Sequence, residues 1–159
     1  MEGMVVTGIV VVLLVLWIVI GLQFMADTSL VGGFLILWYW ANNEQLEIRH
    51  LPRALIGALV GIGIGWFLLV ASLQYGAAGL SVGVALLIFA LYLNTIQAIP
   101  TIVNNATMLF VTIAAAPLVQ LHVNWLELVL STVIGGLFFG AAAEGLKRLA
   151  SRGASQPAG

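Results

Sequence analysis

The chain has 159 residues, of which 62% are hydrophobic and 7% charged, with a mean hydropathy of +1.16 and a formal net charge of −1. Soluble domains carry about 25% charged residues, so this chain has too few charges to cover a water-exposed surface. Lipid is therefore the expected solvent for most of it. The absence of cysteine excludes disulfides and thiolate nucleophiles, and the absence of a basic stripe argues against a nucleic-acid partner.

The first apolar run covers 5–24 and predicts a transmembrane helix. Its 20 residues would rise about 30 Å, the thickness of the hydrocarbon core. No Lys or Arg precedes the run, and it is longer than the apolar region of a cleavable signal peptide. We therefore expect a retained span.

The second apolar run, 30–41, would form only about 18 Å of helix. It is expected to be either a tilted short span or a re-entrant segment. The run 27–29, Asp-Thr-Ser, offers N-cap residues before it. The aromatic triplet 38–40, Trp-Tyr-Trp, suits the headgroup level of a bilayer.

A polar loop over 42–53 precedes the next predicted span, 54–73. Pro52 suits the first turn of that helix, because the N–H that proline lacks would be unpaired there. Three glycines recur at a spacing of four residues and form a ridge that lets another helix approach closely. They are Gly57, Gly61 and Gly65.

A turn is expected over 74–79, followed by a third apolar helix over 80–93. The stretch 94–107 then brings four carboxamides, three threonines and Pro100 between two hydrocarbon runs. An unsatisfied polar group in a bilayer costs several kcal/mol, so these side chains must be buried against protein or line a wet cavity.

This amide stretch has two interpretations. It can be a broken helix that lines a path for a small uncharged polar solute, such as a urea-like, amide-like or ammonia-like molecule. It can instead consist of amides that join helices across a packed bundle, or that solvate a cytoplasmic turn around Pro100. The candidate path residues are Asn94, Gln97, Thr101, Asn104 and Asn105.

A short apolar segment over 106–116 is expected to stop at Pro117. Asn124 and Glu127 then have capping-box spacing at the start of the last span, which runs to about residue 146. Gly136 and Gly140 form a second pair for close packing on that span. The chain is predicted to be one transmembrane domain over 1–150, with a disordered cytoplasmic tail over 151–159.

The fold class is therefore an all-α integral membrane protein with five full transmembrane helices and one short or re-entrant segment. All Lys and Arg residues fall in the loop 42–53 or near the C-terminus. An even number of crossings puts both clusters on one side, and the positive-inside rule makes that side cytoplasmic. We expect a multi-pass protein of the cell inner membrane with a cytoplasmic C-terminus. Because one glycine ridge can be used inside the protomer and the other between protomers, we also expect a homo-oligomer.

No constellation for catalysis or metal binding is apparent. His50 and His122 have no second ligand at metal-site spacing, and Glu144 is placed to pair with Lys147 or Arg148 one turn later. We therefore expect no enzyme activity, no cofactor and no metal. The competing hypothesis to solute passage is a non-transporting structural subunit, or an assembly partner of a larger membrane complex.

The order of short segments resembles that of the YcdZ-like family of small bacterial inner-membrane proteins of unknown function. The resemblance depends on 31–41, Val-Gly-Gly-Phe through Trp-Ala, on Gln97 and Pro100 before a helix that carries Phe110, and on the glycines of 133–140. It departs at 111–112, Val-Thr, where the family tends toward Phe-Ala. It implies a membrane location and no established activity. A looser likeness to half of a urea-transporter repeat is an analogy of layout.

Overall fold

The computed structural model describes the backbone of residues 2–154, and the side chains of 8–26 and 28–148. All regular structure in this part of the chain is helical, which confirms the all-α prediction. The six α-helices are α1 (Glu2–Gly21), α2 (Val31–Asn43), α3 (Leu51–Thr95), α4 (Asn105–Ala114), α5 (Pro117–His122) and α6 (Trp125–Ala154). Short 3-10 turns at Asp27–Leu30 and Ile48–His50 precede α2 and α3.

Two stretches of the described chain are long and apolar enough to cross a membrane, by length and composition. They are Ile48–Thr95, which contains α3, and Trp125–Arg148 of α6. Gly8–Gly21 and α4 are shorter apolar helices. The segment 101–117 is not one helix, because α4 ends at Ala114 and Pro117 begins α5.

Helix α3 is folded back on itself at Gly76. This residue has φ +56° and ψ −131°, a conformation that side chains disfavour and glycine adopts readily. Beyond it the chain reverses, so that Gly79 lies against Ala71 and Gly83 against Leu68. Helix α3 is thus an antiparallel hairpin with an outgoing arm (51–75) and a return arm (77–95), as the predicted turn over 74–79 requires.

Helix α4 packs on the outgoing arm along the first glycine ridge. Gly57 lies against Asn104, and a Cβ on Gly61 would lie 2.5 Å from the carbonyl oxygen of Thr107. Gly65 lies against Ala114. Because the residue numbers rise together, the two helices run parallel.

Helix α2 packs on α6 in the same way. Gly32 lies against Leu128 and Thr132 at the start of α6, whereas Lys147 near its far end donates a hydrogen bond to the Leu46 carbonyl at 2.8 Å. These two helices also run parallel. The second glycine pair faces the outgoing arm instead, with Gly136 on Leu55 and Gly140 on Leu51, which makes α6 antiparallel to that arm.

The chain consists of two structural repeats related by a shift of 74 residues. Adding 74 to the residue numbers of α1 (2–21) gives 76–95, which is Gly76 with the return arm. The same shift carries Val31 at the start of α2 onto Asn105 at the start of α4. It carries Leu51 at the start of α3 onto Trp125 at the start of α6. We call 2–74 the first repeat and 76–148 the second repeat, and residues related by the shift equivalent.

Contacts between the repeats obey the same relation. The pair Gly61 and Thr107 is equivalent to the pair Gly135 and Gly33, and a Cβ on Gly135 would lie 2.5 Å from the Gly33 Cα. Each short helix therefore packs on the last helix of the other repeat. Since the outgoing arm and α6 are equivalent and antiparallel, the two repeats have inverted orientations. A pseudo-two-fold axis perpendicular to the helices relates them.

The basic residues gather at one end of the bundle. Lys147 lies at Leu46, Arg53 donates to the Pro100 carbonyl, and Arg49 is in the loop between α2 and α3. Arg148 and Arg152 follow Lys147 on α6. The other end, where Ala26 meets Glu127, has no Lys or Arg among the described residues. We call these ends the basic end and the acidic end.

Three sequence predictions change in this fold. Both glycine ridges are used inside the chain, so they no longer argue for a second copy, and the homo-oligomer stays a prediction. Helix α6 reaches Ala154, which places 151–154 in a helix and not in a disordered tail; residues 155–159 lie outside the described residues. No side-chain cap precedes α2; of the three residues 27–29 predicted as caps, the side chain of Asp27 lies outside the described part.

Candidate functional site at the repeat interface

Three of the predicted path residues lie at the basic end, in the turn between the return arm and α4 or at the first residue of α4. Gln97, Thr101 and Asn105 are all exposed. Gln97 has φ +52° and follows the end of the return arm, and its side-chain amide donates to the Asn94 carbonyl. The structure therefore places these three residues at one end of the bundle. The sequence hypothesis expected them along a path near mid-membrane.

Asn104 is buried but is fully used as a helix cap. Its Oδ1 accepts the N–H of Ala106, and its Nδ2 donates to the carbonyls of Arg53 and Pro100, both at 3.1 Å. Thr107 completes a capping box by accepting the Asn104 N–H. With 1% of its surface exposed, Asn104 fixes the start of α4 and joins it to the outgoing arm.

Asn94 pairs with Asn105. Its Nδ2 donates to the Asn105 Oδ1 at 3.2 Å, while its own Oδ1 is buried without a hydrogen-bond partner. Apart from this oxygen, the hydrogen bonds of these amides run to one another or to backbone, which is what the helix-joining interpretation expects. None of the five residues lines the cavity described below.

The centre of the molecule lies between the two repeats and is filled mainly by apolar side chains. Four helices meet there: α2, the outgoing arm, α4 and α6. Ile36 of α2 and Phe110 of α4 are equivalent residues, and both are buried to 1% exposure or less. The cluster around them is Tyr39, Ala54, Ala58, Ile62, Ala106 and Leu128.

Hydroxyl groups surround this apolar centre. Ser131 Oγ accepts the N–H of Gly33 at 3.1 Å, and Thr132 Oγ1 donates to the Leu128 carbonyl at 2.8 Å. Thr107 Oγ1 donates to Ile102 on the other side of the pseudo-two-fold axis. Ser29 is fully buried, and its Oγ has no partner. The repeat interface therefore offers uncharged hydroxyl donors and acceptors, at the starts of the short helices and on the facing turn of α6.

The sequence interpretation overlooked these hydroxyls because it followed the densest polar stretch. The signal that could have found them is the internal repeat. Gln23 and Gln97 are identical at equivalent positions, as are Gly61 and Gly135. The relation shows which helix starts face each other, and those starts contain Ser29 and Thr107.

Other local predictions have mixed outcomes. Asn124 caps α6, its Oδ1 accepting the N–H groups of Leu126 and Glu127, which confirms the predicted cap. The Glu127 carboxylate accepts N–H groups of the Asn124 side chain and of Ala26. The ion pair of Glu144 with Arg148 is confirmed at 2.9 Å. In the aromatic triplet only Trp38 is exposed; Tyr39 and Trp40 are buried, and Trp40 donates to the Glu47 carbonyl. Two rings of that triplet thus stabilise the core and its loop.

The described residues contain no group of three or more His, Asp or Glu side chains close enough to hold a metal ion. No family model, curated protein or solved structure matches this chain. The YcdZ-like resemblance and the urea-transporter analogy therefore stay predictions.

Proposed function

We propose that the chain is a multi-pass inner-membrane protein that crosses the bilayer six times, with both termini cytoplasmic. Helix α2 and its leading turn run beside α6 from Glu127 to Lys147, a rise of about 30 Å. That distance equals the hydrocarbon thickness of a bilayer. Collection of the basic residues at one end supports a cytoplasmic basic end under the positive-inside rule.

We infer that its function is passive passage of a small uncharged polar solute through the repeat interface. The observation that carries this proposal is the pair of short helices, α2 and α4, placed face to face by inverted repeats. Inverted repeats with interrupted helices are a recurring construction of membrane transporters, and their solute sites lie at the repeat interface near mid-membrane.

The chemistry of the interface favours a neutral solute. Its buried polar groups include the hydroxyls of Ser29, Thr107, Ser131 and Thr132 and the backbone at Gly33. A naked ion would need charges or many aligned carbonyls. A urea-like, amide-like or ammonia-like solute needs only a few donors and acceptors.

The path is closed in this structure by Ile36 and Phe110. Because the two residues are equivalent, they meet the centre from opposite repeats and fill it with hydrocarbon. Passage would require both side chains to move aside, so truncating either one should ease it.

Stopped-flow swelling of proteoliposomes in urea, acetamide and glycerol tests the proposal. The wild-type protein should raise permeability to at least one of these solutes above that of empty liposomes, and Phe110→Ala should raise it further. Thr132→Val, which removes a hydroxyl at nearly unchanged volume, should change the preference among the three solutes.

Phe139→Ala is the matched control, because Phe139 is equally buried but lies in the cluster around Trp17 on the other side of α6. It should lose stability as Phe110→Ala does and leave permeability at the wild-type value. Thr101→Ala in the exposed turn should also be silent. If liposomes containing the wild-type protein or Phe110→Ala are no more permeable to these solutes than empty liposomes, solute passage is contradicted.

The second candidate function is a non-transporting structural subunit. The apolar packing of the centre and the full pairing of Asn104 favour it, because amides that join helices need no solute. This candidate predicts that no variant above raises solute permeability over that of empty liposomes. It also predicts that the full-length protein co-purifies with a membrane complex in mild detergent.

A further inference from the structure

A cavity of about 380 Å³ opens between α1, α2 and α6 at the basic end. Its wall is hydrocarbon except at the mouth, where Lys147 lies. The apolar lining is formed by Ile9, Val10, Leu13, Leu37, Leu46, Phe139, Ala143 and Leu146. We call this cavity the basic-end groove.

A pair of equivalent residues makes the packing at this place differ between the two repeats. In the second repeat Gly83 lets the return arm close against Leu68 of the outgoing arm. The equivalent residue in α1 is Ile9, whose side chain lines the groove. A β-branched side chain at this contact holds α1 away from α6, whereas glycine brings the two arms together.

Lys147 gives the mouth of the groove a positive charge. One of its three N–H donors is used by the Leu46 carbonyl at 2.8 Å, in a turn where Gln45 and Leu46 both have positive φ. The side chain is exposed, so two donors remain for another group. Of the carboxylates near Lys147, Glu144 on the same helix is engaged by Arg148, and Glu47 is engaged by Arg49. The equivalent of Lys147 is Leu73, so the charge is also specific to this repeat.

We propose that the basic-end groove binds one anionic phospholipid of the cytoplasmic leaflet, with an acyl chain along α1 and α6 and the phosphate at Lys147. The hydrocarbon wall fits the chain, and a single lysine at the rim fits a headgroup that carries one negative charge. This inference depends on the proposed membrane placement and is independent of solute passage.

Native mass spectrometry and thermal unfolding in mixed micelles test this inference on the full chain. Phosphatidylglycerol should be retained by the wild-type protein and raise its unfolding temperature, and phosphatidylcholine should do so less. Lys147→Gln should weaken phosphatidylglycerol binding about fivefold, the expected effect of one lysine near an anionic headgroup. Ala143→Phe, which fills the groove, should abolish retention.

Two controls match these variants. Arg49→Gln removes a charge at the same end but outside the groove, and Ala141→Phe adds a ring to an exposed position of α6; both should retain the lipid. Equal binding of the two lipids, equal loss in Lys147→Gln and Arg49→Gln, or an equal thermal shift from inorganic phosphate alone would each overturn the proposal. Loss of binding in Ala141→Phe would do the same. Swelling rates of proteoliposomes that contain the same variants keep this result separate from solute passage.

Discussion

Arg53 and Glu127 occupy equivalent positions in the two repeats and make equivalent contacts with opposite charge. Arg53 donates to the carbonyl of Pro100 at 3.1 Å, and Glu127 accepts the N–H of Ala26 at 2.7 Å. Pro100 and Ala26 are themselves equivalent. Each side chain thus joins the first turn of a long helix to the loop that leads into the short helix of the other repeat.

Glu127→Ala should lower the free energy of unfolding by about 1–2 kcal/mol, because it removes a contact between repeats and the acceptor of the Asn124 side-chain amide. Thermal unfolding in detergent measures the effect. Glu144→Ala removes a carboxylate from an exposed ion pair on the same helix and should cost about 0.5 kcal/mol or less. Equal losses of unfolding free energy in the two variants would show that the contact with Ala26 does not stabilise the protein.

Gly61→Ala and Gly135→Ala should both destabilise the protein by about 1–3 kcal/mol, because each added Cβ would strike backbone of the short helix opposite. Gly63→Ala is the control: its Cβ would meet nothing within 4 Å, so it should gain about 0.5–1 kcal/mol from helix propensity. Unfolding temperature and monodispersity in detergent report both effects. A stable Gly135→Ala variant would contradict the equivalence of the two contacts.

Gly76→Ala should cost about 1–2 kcal/mol although its Cβ would meet nothing within 4 Å. The cost comes from the positive φ of the hairpin turn and not from a clash. Gly145→Ala, equally free of neighbours and inside α6, is the comparison and should be neutral or stabilising. Unfolding temperatures that rank the two variants in the opposite order would refute the turn conformation.

Stability should fall in acid partly through Glu47. The hydrogen bond from Arg49 is the main cause that lowers the pKa of this carboxyl below its ordinary value, and the charges of His50 and Lys147 lower it further. A folded-state pKa below the unfolded one means that the contribution is present above the unfolded pKa. It is then lost as the pH falls through the folded value.

Unfolding temperatures between pH 7 and pH 3 measure this contribution. Glu47→Gln and Arg49→Gln should each show a shallower decline than the wild-type protein, and the double variant should be no shallower than Glu47→Gln alone. Parallel curves for all four proteins would exclude the Glu47–Arg49 pair as a source of acid sensitivity.

Local features of this fold could be predicted from short patterns. Pro52 at the start of α3, the Asn124 cap, the turn around Gly76 and the break at Pro117 each follow from the chemistry of one or two residues. The all-helical class follows from composition. Burial of the glycine ridge at Gly61 also follows, because small residues at helical spacing indicate close packing.

The partner of each element could not be predicted in this way. The sequence does not show that Gly61 faces Thr107, because that contact depends on how two repeats interlock. The carboxamides misled for a physical reason. Amides serve equally well as path linings and as helix caps, and composition alone does not distinguish the buried cap Asn104 from its exposed neighbour Asn105.

The interlocked packing of the short helices has a consequence for biosynthesis. Helix α2 rests on Thr132 and Gly135, which emerge from the ribosome about 90 residues after it, a delay on the order of 5–20 s at ordinary elongation rates. During that delay Gly32 and Gly33 lack the helix that covers them in the finished protein. In a nascent chain stalled before residue 125, α2 should therefore lack its packing partner. It should stay accessible to proteases and insertion factors until α6 is synthesised.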